Sequence, residues 1–189
     1  MRLLILLGCR YSEIGALHWD EVDLVNGILH IKGPRTEKRR GTKNEHDLWL
    51  PLPPTAIAIL RDIKPRPGRD LVFGDGRVGM RNPAGMKKLL DAYIAKAEGA
   101  PLEPWRNHDL RHSISTHMNE MGTDSRVVET IVNHWSGHRR GIAGRYNHAK
   151  YVKPMRDALE KWEQTIRNAA DGVEPSTNVI TGAFGKQST

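Results

Sequence analysis

The chain has 189 residues, 38% of them hydrophobic, and a formal net charge of +7, which is typical of one globular domain that can bind an acidic polymer. Its single cysteine, Cys9, excludes an internal disulfide framework and suits a reducing cytosol. The apolar start, Met1–Gly8, is too short to span a bilayer and lacks the basic leader of a signal peptide, so it is expected to be a core helix whose beginning is missing.

Two short helices are predicted first. Residues 3–7 are apolar on nearly all sides, as in a buried helix, and Gly8 can end it. Ser12 is a candidate N-cap for a second helix through Leu17, with Glu13 in its first turn. Arg10 is therefore expected in a tight turn between the helices, near a positive helix N-terminus.

The pattern then changes to strands. Segments 22–24 and 28–31 flank Asn26-Gly27, a strong hairpin signal, and Leu48, Leu50 and Leu52 alternate as a third strand. Segment 32–43 carries six basic residues and one acidic residue and is expected at an extended hairpin tip. Such a segment is either a solvated loop or a surface that lies along phosphates.

The rest of the chain predicts helices. Asn82-Pro83 forms an N-cap and first-residue pair for a helix that runs to Glu98, and Gly99 ends it. The other predicted helices cover about 54–62, 108–122, 125–135 and 154–168. The fold class is therefore α+β, mainly helical, with a small three-stranded antiparallel sheet. The segment 171–189 is polar and is expected to be a flexible tail.

Several residues in the second half suit phosphate chemistry. His108 and Arg111 are three apart at a helix start, so they share a face beside a helix N-terminus that favours an anion. Arginine neutralises phosphate, imidazoles such as that of His134 move protons, and a phenol such as that of Tyr146 can attack phosphorus. An isolated His-x-x-Arg pair more often makes local hydrogen bonds. The prediction of a site for phosphate chemistry therefore depends on the occurrence of this pair together with His134 and Tyr146.

The ordered set resembles the signature of the tyrosine recombinases, the phage-type integrases. The matching segments are GCRYSEI from Gly8, TKN from Thr42, HDLRHS from His108, NHWSGH from Asn133 and GRYNH from Gly144. The NHWSGH form resembles prophage and genomic-island integrases. The last place of GRYNH, where the family has arginine, is a mild departure.

The resemblance implies a role for each residue. Arg10 and Arg111 would hold the scissile phosphate, and Tyr146 would be the nucleophile that forms a 3′-phosphotyrosyl link. His108 and His134 would be the active-site histidines. Lys43 would protonate the departing 5′ oxygen. No ATP, metal or other cofactor is implied.

Three other residues lie in or beside the matching segments. Lys38 also follows a threonine closely and is an alternative to Lys43, which is preferred for its TKN context. Glu13 matches the family's acidic position and is expected to orient a basic group rather than to take part in the chemistry. His138 is expected to be a neighbouring residue only.

The resemblance also implies an organisation. Residues 1–170 would be the catalytic domain, beginning inside its first helix, with the N-terminal core-binding domain of the family absent. The implied function is integration or excision of a mobile or viral element at double-stranded DNA attachment sites. The implied partners are a homotetramer in the synaptic complex and accessory DNA-bending proteins, with no membrane, in the cytoplasm.

Two other classes of protein remain open from the sequence. His108 and His112, four apart on one helix, could bind Zn²⁺ in a metalloenzyme, although a third ligand is not evident. Alternatively, the helices after Asp109 and after Ser125 could form a non-catalytic helix-turn-helix DNA-binding module, or the chain could be an inactive integrase remnant.

Overall fold

A computed structural model of the chain describes residues 1–37, 39–75, 79–134 and 148–173. Its helices and strands follow one another in this order: α1 (Arg2–Leu7), α2 (Tyr11–Gly15), β1 (Val22–Asp23), β2 (Ile28–Ile31), β3 (Leu48–Pro51), α3 (Pro54–Asp62), α4 (Pro83–Glu98), α5 (Asp109–Glu120), α6 (Ser125–Ile131) and α7 (His148–Ala170). The predicted tail lies outside the described residues from position 174 onward. None of the described helices is long and apolar enough to cross a membrane.

The strands form one antiparallel sheet in the order β1-β2-β3. β1 and β2 make the predicted hairpin, in which Asp23 is opposite Ile28 and Gly27 has a φ of 62°. Leu29 and Leu50 are opposite each other and fully buried. The predicted fold class, mainly helical with a small three-stranded sheet, is confirmed.

The core lies between the inner face of this sheet and the packed helices. α1 is buried on most sides and contacts α3, α5 and α7. α7 presents Met155, Leu159 and Trp162 at helical spacing, and the indole nitrogen of Trp162 donates to the Ile5 carbonyl oxygen at 2.8 Å. α1 is therefore the central element, and its C-terminal end is fixed within the core.

The turn between α1 and α2 is tight, as predicted, but its cap differs from the prediction. Gly8 ends α1 in the left-handed conformation, with a φ of 64°. α2 begins at Tyr11, not after Ser12, and Arg10 is its N-cap residue. The reason is Glu13, whose side chain accepts a hydrogen bond from the Arg10 backbone N–H at 2.8 Å and so closes the first turn.

The basic loop between β2 and β3 also differs from the extended tip that the sequence predicts. It folds back, because Arg39 forms ion pairs with Asp20 at 2.5 Å and with the buried Glu21 at 3.5 Å. The Thr42 backbone N–H donates to the Gly33 carbonyl oxygen at 2.9 Å, which closes the base of the loop. The two acidic residues before β1 therefore determine where this loop lies.

The later helices follow the prediction with two exceptions. α6 ends at Ile131 rather than near position 135, because Asn133 has a left-handed backbone with a φ of 45°. Asn82 caps α4 by accepting a hydrogen bond from the Gly85 backbone N–H at 2.8 Å, and Gly99 ends the helix with a φ of 73°. α7, however, begins at His148, six residues before the predicted start, and Pro154 lies inside it. A proline inside a helix costs about 3 kcal/mol, so the packing of the amphipathic α7 outweighs the local signal.

Candidate active site

Five of the six residues predicted for the site line one cleft of about 440 Å³: Arg10, Lys43, His108, Arg111 and His134. The cleft is completed by a second set of mostly polar residues: His112, Ser115, Asn119, Ser125, Val128, Glu129 and Val132. Tyr146, the sixth, lies outside the described residues, and so does Lys38.

Four separate segments bring these side chains together. Arg10 comes from the α1–α2 turn and Lys43 from the β2–β3 loop. His108 is the N-cap residue of α5, with Arg111 in its first turn, and His134 follows the end of α6. Because the sequence order says nothing of their distance in space, their presence in one cleft is an independent structural observation.

Arg111 is held rigidly. Its side chain is buried, with the residue only 7% exposed, and its Nη1 donates to the Gly8 carbonyl oxygen at 2.9 Å. Burial, followed by the nearby Arg10, lowers the pKa of Arg111, while Glu13 acts in the opposite direction. Because an arginine stays charged in proteins, the result is a fixed, poorly hydrated cation that gains from binding an anion.

Glu13 orients the other arginine, as the sequence predicts. Its buried carboxylate accepts from Arg10 Nη1 at 2.7 Å and from the Arg10 backbone N–H at 2.8 Å. Arg10 Nη2 also lies 3.5 Å from the Asn133 carbonyl oxygen. Glu13 thus fixes both the backbone and the guanidinium of Arg10, and it offsets part of the repulsion between the two arginines.

The histidines of α5 form a separate pair. The rings of His108 and His112 are edge to face, with their centroids 4.6 Å apart. Burial is the main cause that lowers the pKa of His108, and His112, Arg111 and Arg10 lower it further. In the part of the chain that the structure describes, no group of three His, Cys, Asp or Glu residues could hold a metal ion.

Two contacts beside the cleft were not predicted from the sequence. The Gly8 carbonyl oxygen positions Arg111, and Asn44 Nδ2 donates to Asn133 Oδ1 at 2.9 Å. The only available signal was position, because both asparagines adjoin predicted site residues, Lys43 and His134.

Comparison with known proteins identifies the class to which this fold and cleft belong. The sequence profile of the Phage integrase family matches residues 1–153. The chain belongs to that family.

Among curated relatives, it is 27% identical over 164 residues to prophage integrase IntA of Escherichia coli (strain K12), a match that covers 86% of this chain and 37% of that protein. It is 30% identical over 139 residues to tyrosine recombinase XerC of Pseudomonas syringae pv. syringae (strain B728a), covering 71% and 42%. The chain therefore spans less than half the length of these two relatives.

Solved structures show the same fold. The integrase from mycobacterium phage Brujita matches with a TM-score of 0.56 at 20% identity, over 85% of this chain and 49% of that one. The Tn1549 transposon integrase in complex with transposon right end DNA matches with a TM-score of 0.58 at 18% identity, over 89% and 57%. Both matches indicate a shared fold over most of this chain.

Proposed function

We propose that this chain cleaves and rejoins DNA strands at specific sites through a covalent 3′-phosphotyrosyl intermediate. The single observation that carries the proposal is the cleft in which two guanidinium groups, an ammonium group and three imidazoles meet. That set of groups suits the transfer of a phosphodiester from one oxygen to another without a cofactor.

The two arginines are proposed to bind the non-bridging oxygens of the scissile phosphate. The pentacoordinate transition state carries more charge on these oxygens than the ground state, so fixed cations stabilise it preferentially. The hydrogen bonds from Arg111 to Gly8 and from Arg10 to Glu13 support this role, because they hold both guanidinium groups in place before DNA binds.

The remaining groups are proposed to supply the nucleophile, to move protons and to add a hydrogen bond to the phosphate. Tyr146 attacks phosphorus, so a bond forms between its oxygen and phosphorus while the bond from phosphorus to the 5′ oxygen breaks. The phenol proton passes to an imidazole, for which His108 is suited because its lowered pKa keeps it neutral at neutral pH. Lys43 gives a proton to the 5′ oxygen, and His134 donates a hydrogen bond to the phosphate.

The proposed partner is double-stranded DNA that carries an attachment site of a mobile or viral element, and the reaction would serve its integration or excision. The net charge of +7 supports an acidic partner, and the Tn1549 integrase of similar fold is bound to DNA. A homotetramer in the synaptic complex, accessory DNA-bending proteins and action in the cytoplasm belong to the same proposal.

The proposal is tested by trapping the intermediate. The chain is incubated with a pool of nicked duplexes of randomised sequence, the mixture is denatured, and DNA that stays attached to protein is recovered and sequenced. Tyr146→Phe should still bind the selected duplex but give no adduct, whereas Tyr93→Phe, at an exposed position of α4, should behave as wild type. An adduct that persists in Tyr146→Phe, or binding with no adduct in wild type, would overturn the proposal.

The arginine roles have their own test. Removing one fixed donor elsewhere costs about 10²–10³ in rate, so Arg10→Ala and Arg111→Ala should each lower the single-turnover rate by about that much. The fold-loss in rate of the double variant should be smaller than the product of the fold-losses of the two single variants, because both arginines act on one phosphate. Arg111→Lys should recover little, because lysine lacks the planar guanidinium that can bind two phosphate oxygens at once. Near wild-type cleavage by Arg111→Lys would contradict this role.

A further inference from the structure

Two asparagine side chains join the loop between β2 and β3 to the turn after α6. Asn44 Nδ2 donates to Asn133 Oδ1 at 2.9 Å, and Asn133 Nδ2 donates back to Asn44 Oδ1 at 3.3 Å. Asn44 Nδ2 also lies 3.3 Å from the Asn133 carbonyl oxygen. The two residues are 89 positions apart, so this reciprocal pair is a tertiary link and not a local turn.

Each asparagine adjoins a residue of the cleft. Asn44 follows Lys43 directly, and Asn133 directly precedes His134. The Asn133 carbonyl oxygen is also the acceptor that lies 3.5 Å from Arg10 Nη2. The pair therefore connects three cleft residues that come from three different segments.

Both ends of the link are fixed. Asn133 is 5% exposed, and its φ of 45° is a left-handed conformation that asparagine tolerates better than most residues. On the other side, the buried Thr42 hydroxyl lies 2.9 Å from Asn44 Oδ1 and 2.7 Å from the His46 carbonyl oxygen. The asparagine amides thus have little freedom to turn away from each other.

We propose that Asn44 and Asn133 are positioning residues that hold the Lys43 ammonium where the 5′ oxygen departs. The inference rests on the proposed function and deepens it. Lys43 is exposed and its side chain is long, so its reach depends on where the loop is anchored. A displacement of about 1 Å at a reacting group can cost about 100-fold in rate, so loss of the Asn44–Asn133 pair should slow cleavage strongly.

The experiment uses a leaving group that needs no proton. Single-turnover cleavage is measured on the selected nicked duplex and on the same duplex with a 5′-bridging phosphorothiolate, because sulfur departs readily without protonation. The variants are Asn44→Ala, Lys43→Ala, their combination, and Asn133→Gly, which keeps the left-handed backbone and removes the amide. Gln164→Ala is the matched control, since Gln164 makes a similar amide–amide hydrogen bond of 2.8 Å to Asn168 on the exposed side of α7.

On ordinary DNA, Asn44→Ala and Asn133→Gly should be slower by about 10- to 100-fold, and Gln164→Ala unchanged. On the phosphorothiolate, both should recover most of the loss, as should Lys43→Ala, whereas Arg111→Ala should not. The combined variant should be no slower than Lys43→Ala alone, because Asn44 acts through Lys43.

Thermal unfolding is measured for every variant, and only variants that unfold at the wild-type temperature are compared. Two results would then overturn this inference but not the proposed chemistry. In the first, sulfur fails to rescue the folded asparagine variants while it rescues Lys43→Ala. In the second, the combined variant is far slower than Lys43→Ala. Full activity of Lys43→Ala on ordinary DNA, or the absence of any wild-type adduct, would instead overturn the proposed chemistry and this inference with it.

Discussion

Gly8 offers the sharpest test of how the core supports the cleft. It ends α1 with a φ of 64°, and a Cβ atom built on it would lie 2.8 Å from Ile114 Cγ2 and 3.4 Å from Val132 Cγ1. Gly8→Ala therefore adds two costs: a left-handed backbone for a residue with a side chain, about 1–2 kcal/mol, and overpacking against buried neighbours, about 1–3 kcal/mol. The sum is about 2–5 kcal/mol, a large part of the typical 5–15 kcal/mol stability of a domain.

The control for this change is Gly99→Ala. Gly99 also ends a helix, with a φ of 73°, but a Cβ atom there meets nothing within 4 Å. The free energy of unfolding, measured by urea titration, should fall by about 1–2 kcal/mol in Gly99→Ala and by about 1–3 kcal/mol more in Gly8→Ala. Equal losses in the two variants would refute the steric argument. Because the Gly8 carbonyl oxygen holds Arg111, Gly8→Ala should also slow DNA cleavage, whereas Gly99→Ala should not.

Three further predictions concern groups in the core and the cleft. The Glu163 carboxylate, 4% exposed, accepts from the Thr55 backbone N–H at 3.0 Å and so caps α3, and Glu163→Ala should cost about 1–3 kcal/mol in urea titration, with the exposed Glu160→Ala near zero. Burial, followed by the nearby Glu13, raises the pKa of the Cys9 thiol, so a thiol-reactive disulfide should label this sole cysteine only after unfolding; rapid labelling of the native protein would contradict its burial. The pKa of His108 lies below its ordinary value of 6.5, so the midpoint of its NMR titration should also lie below 6.5. Protonation of His108 should therefore oppose folding, and the free energy of unfolding should fall as the pH falls through 6.5. His108→Gln should remove that loss.

The two arginines of the cleft are oriented by partners that themselves take no part in the proposed chemistry. Arg111 and Arg10 each depend on a partner that contacts no DNA in the proposed chemistry, the Gly8 carbonyl oxygen and the Glu13 carboxylate. A loss of cleavage after Glu13→Ala is therefore expected even though its role is to orient Arg10. Comparing Glu13→Gln with Glu13→Ala separates the hydrogen bonds, which glutamine partly keeps, from the charge, which both remove.

The features that the sequence predicts well are set by local chemistry. Asn82 and Gly99 mark the start and the end of α4 as expected, because an N-cap and a left-handed glycine act within one turn of the residues they affect. Asn26-Gly27 determines its hairpin for the same reason. The residues of the cleft could be chosen because the order and spacing of a family signature remain visible without a structure.

What only the tertiary structure decided depends on contacts between distant segments. The start of α7 and the folded-back basic loop both contradict local signals, because helix packing and the Arg39 ion pair with Asp20 outweigh them. The Arg111 contact with Gly8 spans 103 residues, and the Asn44–Asn133 pair spans 89. No periodicity or cap encodes such a contact, since it exists only after the core has brought α1, α5, α6 and the β2–β3 loop to one place.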